Sequence, residues 1–458
     1  MKSDTIAAIA TGNSSAGISI IRISGENALS AIDKIYKSKV KNKKLSEKES
    51  HTIHYGYIVD EQEVIDEVMV TIMKAPSTYT REDVVEINCH GGIVVTRRIL
   101  ETVLKQDIRL AEPGEFTKRA FLNGRIDLSQ AEAVCDIINA KNQIALKNSL
   151  KQLKGREQEK IEEIRNVILR DIAFIEAALD DPEHISIEGF SEELLNHLDT
   201  NCNALEGLIK SSKDGKLIKE GIKTVIIGKP NAGKSSLLNI LVKEDRAIVT
   251  DIAGTTRDTL EETIRLNDIT LNIIDTAGIR STDDIIEKIG VDKAIKLSQE
   301  ADLILYVLDS SVPLDENDDK ILSLIKEKKA ILLLNKSDLG PKILVDDIKE
   351  KSSHPIIITS FIEHTGLGDL EELIKKMFFE GSLTIHEDIY ITNERHIEAF
   401  KNALGSLNMV RDSVINQMPE DFYSIDLMAA YEELGKILGE NLGEDLINMI
   451  FSEFCMGK

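Results

Sequence analysis

Apolar positions along this 458-residue chain change their spacing several times, and each change marks a different kind of element. Short β-rich runs occupy residues 5–11, 18–24, 51–59, 68–73 and 84–89, with helical patterns between and after them, as at 92–104. Such a mixture predicts an α+β domain. From residue 128 to 213 the apolar positions recur every three or four residues, the mark of helices. Ser129-x-x-Glu132 opens this stretch as a candidate capping box, and Asp181-Pro182 interrupts it. Residues 221–380 alternate apolar strand-like runs with helical ones, as a doubly wound sheet requires. From Asn393 the helical pattern returns, broken near Pro419.

Two helical halves around a complete α/β segment predict one helical domain with another domain inserted into it. Insertion at a surface loop is tolerated because the inserted domain's own ends lie close together. The expected division is 1–120 (α+β), 121–215 (helical, first half), 216–380 (α/β) and 381–458 (helical, second half), in a multidomain chain of α/β and α+β class. Neither an internal repeat nor a low-complexity linker is visible.

The α/β segment carries phosphate- and guanine-reading motifs in order. Gly228-Lys229-Pro230-Asn231-Ala232-Gly233-Lys234-Ser235 follows the apolar run 224–227 and leads into a helix-like run beginning at Ser236. That context suits a P-loop, whose backbone N–H groups cradle phosphates at a helix N-terminus. Lys234 supplies charge to the outer phosphates and the Ser235 hydroxyl suits Mg²⁺. Asp275-Thr276-Ala277-Gly278 ends the run 271–274, placing a carboxylate toward the metal and a glycine N–H toward the γ-phosphate. Asn335-Lys336-Ser337-Asp338 ends the run 331–334, where Asp338 can accept both N–H donors of the guanine edge. Adenine offers no such pair, so the motif selects GTP.

Between these lies Gly254-Thr255-Thr256-Arg257-Asp258, with Thr256 as the candidate γ-phosphate-dependent Mg²⁺ ligand. Thr359-Ser360-Phe361 stands as the fifth guanine motif, through a Ser360 backbone N–H. Where many regulatory GTPases place a water-orienting glutamine, this chain has Ile279. Hydrolysis then needs another polar group, and the acidic stretch 283–287 is near enough in sequence to supply it.

The net charge of −23 falls entirely after residue 130, because residues 1–130 carry 18 basic and 18 acidic side chains. Broad, salt-driven nucleic-acid binding by the later part is thereby disfavoured. The lysine-rich stretch 37–48, with serine and glutamate interleaved, reads as an exposed loop. No apolar run reaches the ~18 residues of a membrane span, and no secretory signal is visible at the start. Cys89, Cys135, Cys202 and Cys455 form no CxxC pair, so reduced thiols and a cytoplasmic setting are expected.

Residues 113–133 (Pro113-Gly114-Glu115-Phe116-Thr117 through Asn123-Gly124-Arg125-Ile126-Asp127 to Ala133) resemble the signature of the MnmE (TrmE) family of tRNA-modification GTPases. Val84 to Gly92, the Gly254–Asp258 segment and the tail Phe454-Cys455-Met456-Gly457-Lys458 are similar to that family too, so the resemblance spans essentially the whole chain. It implies an N-terminal folate-binding and dimerising domain, a helical domain and an inserted potassium-dependent GTPase. It also implies a homodimer that works with the flavoprotein MnmG to add aminomethyl or carboxymethylaminomethyl groups at carbon 5 of the wobble uridine in tRNA.

By position, the resemblance implies that Arg22, Glu86, Arg125 and Lys458 contact a 5-formyltetrahydrofolate-type carrier. A carboxylate such as Glu86 suits the pterin's N–H donors. The resemblance also implies a GTP-contacting stretch at Thr250, Asp251, Ile252, Ala253, Gly254, Thr255 and Thr256. Asn231, with backbone oxygens near Thr250, Ile252 and Thr255, matches the family's K⁺ site, where the ion replaces an inserted arginine. Glu287 falls on the catalytic acid, answering the missing glutamine, and Cys455 on the tail cysteine needed for modification.

Three positions depart from the family pattern: residues 12–17 in place of a Pro- and Gly-rich loop, Arg81 where glycine is usual, and Thr359-Ser360 in place of Ser-Ala. The motifs by themselves also fit a ribosome-assembly GTPase or a non-catalytic GTP switch. The acidic helical flanks speak against the first.

Overall fold

The computed structural model describes residues 4–12, 14–39, 44–186, 189–244, 262–266, 268–274, 301–379 and 389–457. Two compact units divide the chain. One comprises residues 1–138, 149–201 and 402–458, the other 139–148 and 202–401. The divisions near 201 and 401 fall inside the long helices Phe190–Glu220 and Glu394–Ile415.

In the first unit, strands β1 (Ile6–Ile9), β2 (Ile18–Ser24), β3 (Tyr36–Ser38), β4 (Thr52–Asp60), β5 (Glu63–Met73), β6 (Val84–His90) and β7 (Arg109–Leu110) form one sheet in the order β3-β4-β5-β6-β2-β1-β7. Its pairs are antiparallel except β1 with β7. Alternation along β2 and β6 sends Ile21, Ile23, Val85 and Ile87 to one face, where they pack with Ile32 of helix Ala28–Ile35 and Ile99 and Val103 of helix Ile93–Leu104. Arg22 and Glu86, the residues between them, necessarily share the opposite face. The three- and two-residue strands β3 and β7 were not legible as strands, being too short to show alternation.

The helical part of this unit includes Arg156–Asp180, ending one residue before Asp181-Pro182 as expected, and Asp421–Leu438, separated from Glu394–Ile415 by the turn at Pro419. Ile161, Ile164, Ile168, Ile172 and Ile175 form the buried stripe of Arg156–Asp180. On the same helix, the buried Arg165 pairs with Glu440 at 2.5 Å and lies 4.0 Å from the Tyr431 ring. Among the described residues no helix is long and apolar enough to cross a membrane.

The capping box sits two residues earlier than the sequence suggests. Helix Leu128–Asn139 begins before Ser129. Asp127 Oδ1 accepts the Gln130 N–H at 2.9 Å, and Gln130 Oε1 accepts the Asp127 N–H at 3.0 Å. Ser129 only donates its hydroxyl to the same Asp127 oxygen at 2.7 Å. Asp127 was passed over because Ser-x-x-Glu fits the same motif as Asp-x-x-Gln, and only the helix start distinguishes them.

In the second unit β8 (Ile222–Gly228), β9 (Glu262–Leu266), β10 (Ile269–Ile273), β11 (Leu303–Asp309), β12 (Ala330–Asn335) and β13 (Ile356–Ile358) form a sheet ordered β13-β12-β11-β8-β10-β9. Among the described strands only β9 with β10 is antiparallel; the other pairs are parallel. Near-continuous apolar runs such as Leu303–Leu308 are buried, as a sheet covered on both faces demands. The described strands fit the doubly wound class expected from the sequence. Residues 139–148 pack with this unit through Asn142, whose Nδ2 bonds Ile218 O and Thr270 Oγ1, both at 3.0 Å.

Asp127→Ala should lower the stability of the first unit by about 1 kcal/mol, with Ser129→Ala costing distinctly less. Denaturant unfolding of both variants measures this, and equal losses would return the cap to Ser129.

Candidate functional site

The parallel strands β8 and β12 end side by side across β11, and the loops that follow them carry the nucleotide motifs. The phosphate loop leaves β8 at Gly228 and enters helix Lys234–Glu244. Gly233 adopts φ +110°, and a Cβ there would stand 2.3 Å from Asn335 Nδ2, so no other residue fits. Asn231 takes the left-handed region at φ +62°, a conformation asparagine tolerates, and is exposed. Lys234 folds back on its own loop, donating to Gly228 O at 2.8 Å and Lys229 O at 2.7 Å. Burial pushes its ammonium pKa down.

Asn335, at the end of β12, ties two loops together. Its Nδ2 donates to Ala232 O at 2.8 Å, and its Oδ1 accepts the Phe361 N–H at 3.2 Å. The Ser360 hydroxyl donates to Asp338 Oδ1 at 2.7 Å, orienting that carboxylate. Lys336, at φ +62°, is held by Asp309 at the end of β11 through a 2.5 Å ion pair. The fold therefore gathers Asn231 through Ser236 with Asn335, Lys336, Asp338 and Ser360. Sequence reasoning assigned Ser360 through its backbone N–H; here that N–H donates to Thr365 Oγ1 at 3.0 Å, and the contact toward Asp338 comes from the hydroxyl. Asp309 was missed, since a lone aspartate at a strand end gives no motif.

Thr250, Asp251, Ile252, Ala253, Gly254, Thr255, Thr256, Asp275, Thr276, Ala277, Gly278 and Glu287 lie outside the described residues, as do Ile279 and Lys458.

A second constellation lies on the open face of the first unit's sheet. Arg22 and Glu86 are direct register partners, and their side chains pair at 2.8 Å. The Arg22 guanidinium lies within reach of the rings of both Tyr79 (5.9 Å) and Phe116 (5.7 Å), while Arg125 stacks over Tyr79 from 4.7 Å. The Tyr79 loop is fixed by its neighbours: Ser24 Oγ meets Thr80 Oγ1 and Glu82 Oε2, each at 2.7 Å, and Glu82 pairs with the buried Arg119. Tyr79 OH also meets Thr117 Oγ1 at 2.9 Å.

The C-terminal tail closes over this face. Arg22 NH1 donates to Gly457 O at 3.2 Å, and Gly114 N donates to Cys455 O at 3.3 Å. Gly457 takes φ +84°, and a Cβ there would lie 2.4 Å from Ile9 O, so only glycine lets the tail lie this close to β1. The Cys455 side chain is exposed. Thus Arg22, Glu86, Arg125 and residues 455–457 of the tail lie together, joined by Tyr79, an aromatic that no motif flagged. Beside Tyr79 and Arg125 opens a cavity of about 480 Å³ lined by Ile126, Gln130, Val134, Ile137, Ile138 and Leu153. Arg81 stands at φ +59°, a region glycine enters freely, which fits the glycine expected there; its guanidinium donates to Asn123 O at 3.0 Å.

A family model for the "MnmE helical domain" matches residues 128–455, and one for the "GTP-binding protein TrmE N-terminus" matches residues 5–125. The chain belongs to the MnmE (TrmE) family. Relatives named "tRNA modification GTPase MnmE" accompany these matches. That of Lachnoclostridium phytofermentans is 61% identical over all of both chains. That of Thermoanaerobacter pseudethanolicus is 52% identical over 99% of each, and that of Bacillus subtilis 46% over 99% of this chain and 100% of its own. An MnmE-family chain should carry a GTPase fold, and the sheet order and strand-end loops described above are of that kind.

Asn335→Ala would leave a loop carbonyl and the Phe361 N–H without their partner. Loss of about 2 kcal/mol or more in the second unit is expected, together with weakened guanine-nucleotide binding. Thermal melting beside nucleotide titration tests this, and an unchanged melting temperature would remove Asn335 from its bridging role.

Proposed function

We propose that this chain is a K⁺-activated GTP hydrolase of tRNA modification. With MnmG it installs an aminomethyl or carboxymethylaminomethyl group at carbon 5 of the wobble uridine, drawing one carbon from a formyltetrahydrofolate-type carrier. The observation that carries the GTPase reading is the convergence of Gly233, Lys234, Asn335, Asp338 and Ser360 at the ends of parallel strands. Membership of the MnmE family supports the tRNA substrate and favours this reading over a ribosome-assembly factor or an inert switch.

In this reading residues 1–120 form the folate-binding and dimerising domain, 121–215 and 381–458 the helical domain, and 216–380 the GTPase. Lys234 exchanges its two carbonyl acceptors for phosphate oxygens when GTP arrives. Asp338, steadied by Ser360, accepts the guanine N–H donors. Ser235 and Thr256 would hold Mg²⁺, and Asp275 would face it. The exposed carboxamide of Asn231, an oxygen donor suited to a hard monovalent ion, would meet K⁺ with the backbone oxygens of Thr250, Ile252 and Thr255. The two ions supply charge compensation for the phosphates when bound. Glu287 acts as the general acid–base through water, in place of the absent glutamine.

The N-terminal face fits a folate through its donor set. Glu86 offers a carboxylate for pterin N–H groups, Tyr79 an aromatic face, and Arg125 and Lys458 cations for the glutamate tail. The adjoining 480 Å³ cavity falls in the usual range of small-molecule sites. Cys455 serves the modification chemistry from the tail that Arg22 docks. Support for the homodimer comes from the same open face, where Ile53, Tyr55 and Met69 are exposed and Tyr55 and Met69 are register partners.

GTP turnover should be slow in NaCl and markedly faster in KCl, because an ion supplies the charge that an arginine supplies elsewhere. Phosphate release in the two salts measures it, and equal rates would sink the Asn231 assignment. Deleting Phe454–Lys458 should abolish wobble-uridine modification with MnmG while K⁺-stimulated hydrolysis persists. Mass spectrometry of tRNA beside phosphate release reads both, and normal modification by the truncated chain would show the tail to be dispensable.

A further inference from the structure

The side chain of Lys229, the second residue of the phosphate loop, has no role in the site as described so far. Its ammonium lies 2.5 Å from Asp318 Oδ2 and 2.7 Å from Asp315 Oδ2. The Asp318 side chain is only 3% exposed, and its other oxygen accepts the Tyr306 hydroxyl at 2.7 Å. Tyr306 is fully buried on β11, in register with Ile227, the residue before Gly228. Asp318 Oδ2 also accepts the Asp315 N–H at 2.9 Å, while Asp315 caps helix Glu316–Ile325. One buried carboxylate therefore joins the loop, the sheet and a helix start.

Burial alone would disfavour the charge on Lys229, but its hydrogen bonds to Asp315 and Asp318 outweigh that and hold it charged. Burial, reinforced by the bond to Asp318, raises the Tyr306 phenol far above its ordinary range, so it remains a donor.

We infer that Asp318, with Lys229 and Tyr306, positions the first turn of the phosphate loop and so sets affinity for the phosphates of a guanine nucleotide. This rests on the GTPase reading above. The Lys229 and Gly228 carbonyls are tied here by Lys234. When Lys234 turns to a phosphate, those carbonyls lose their donor. The side chain of Lys229 then remains as the anchor of that turn, and its partner is Asp318.

The opposing possibility is a mere charge effect, and it has the opposite sign. Asp318 is an anion near an anion-binding loop, so by its field alone it opposes phosphate. Asp318→Asn would then tighten nucleotide binding. Positioning requires that the same change weaken it.

The test uses the full chain with fluorescent GDP, GTP turnover, and guanosine as a competitor without phosphates. Asp318→Asn and Lys229→Met should each raise the GDP Kd about tenfold, while guanosine affinity moves less than about twofold. The loss in turnover should fall on KM and not on kcat, Lys229→Arg should restore most of it, and Tyr306→Phe, which keeps the packing, should shift GDP affinity in the same direction by less. Unchanged or tighter GDP binding by Asp318→Asn overturns the inference, and so does an equal loss for guanosine. Failure of the unsubstituted chain to bind GDP would sink the GTPase reading itself, before any variant is compared.

Discussion

The nucleotide site depends on one carboxamide. Asn335 donates one amide N–H and accepts with its carbonyl oxygen, and the two bonds go to loops far apart in sequence: Ala232 lies 103 positions before it and Phe361 26 after. Neither loop has regular secondary structure to hold its backbone, so each borrows its position from the end of β12. The carboxamide also explains Gly233, since a side chain there would occupy the space of Asn335 Nδ2. A buried amide with both ends satisfied is worth keeping, because removing it strands two polar groups at once.

The same logic recurs in the first unit with charge in place of an amide. Arg22 reaches across to Glu86 on the neighbouring strand and to the carbonyl of Gly457, so a strand residue holds the tail segment. The rings of Tyr79 and Phe116 lie close to the guanidinium, and its planar fork can serve both partners at fixed geometry. The tail is further anchored by Phe451 and Phe454, which pack with Leu128 and Ala131. Apolar anchoring fixes where the tail runs; Arg22 holds it at Gly457.

Much of this was legible in the sequence wherever spacing carries the information. The runs before Gly228 and Asn335 read as buried parallel strands because they are continuously apolar, and both are strands ending where the motifs begin. Pro182 and Pro419 marked helix ends because proline cannot continue a helix. The capping residue could not be separated from its neighbour by pattern, because Asp127, Ser129, Gln130 and Glu132 supply two overlapping boxes. Tyr79, Asp309 and Asp318 were invisible for another reason. Their importance lies in contacts made far along the chain, Tyr79 with Thr117 and Arg125, Asp318 with Lys229, and no local spacing encodes such pairs.

Arg81 shows how a departure from a family pattern is read once geometry is known. As a sequence feature it stands near a candidate folate face and invites a functional explanation. Its φ of +59° supplies a backbone one: the turn needs the left-handed region, which glycine enters freely and arginine at a cost of roughly 1 kcal/mol. The bond to Asn123 O offsets part of that cost, and Asn123 in turn donates to Thr80 O at 2.6 Å. The arginine thus binds the Tyr79–Glu82 turn to the 123–125 turn that carries Arg125, stiffening the same wall that a glycine would leave free.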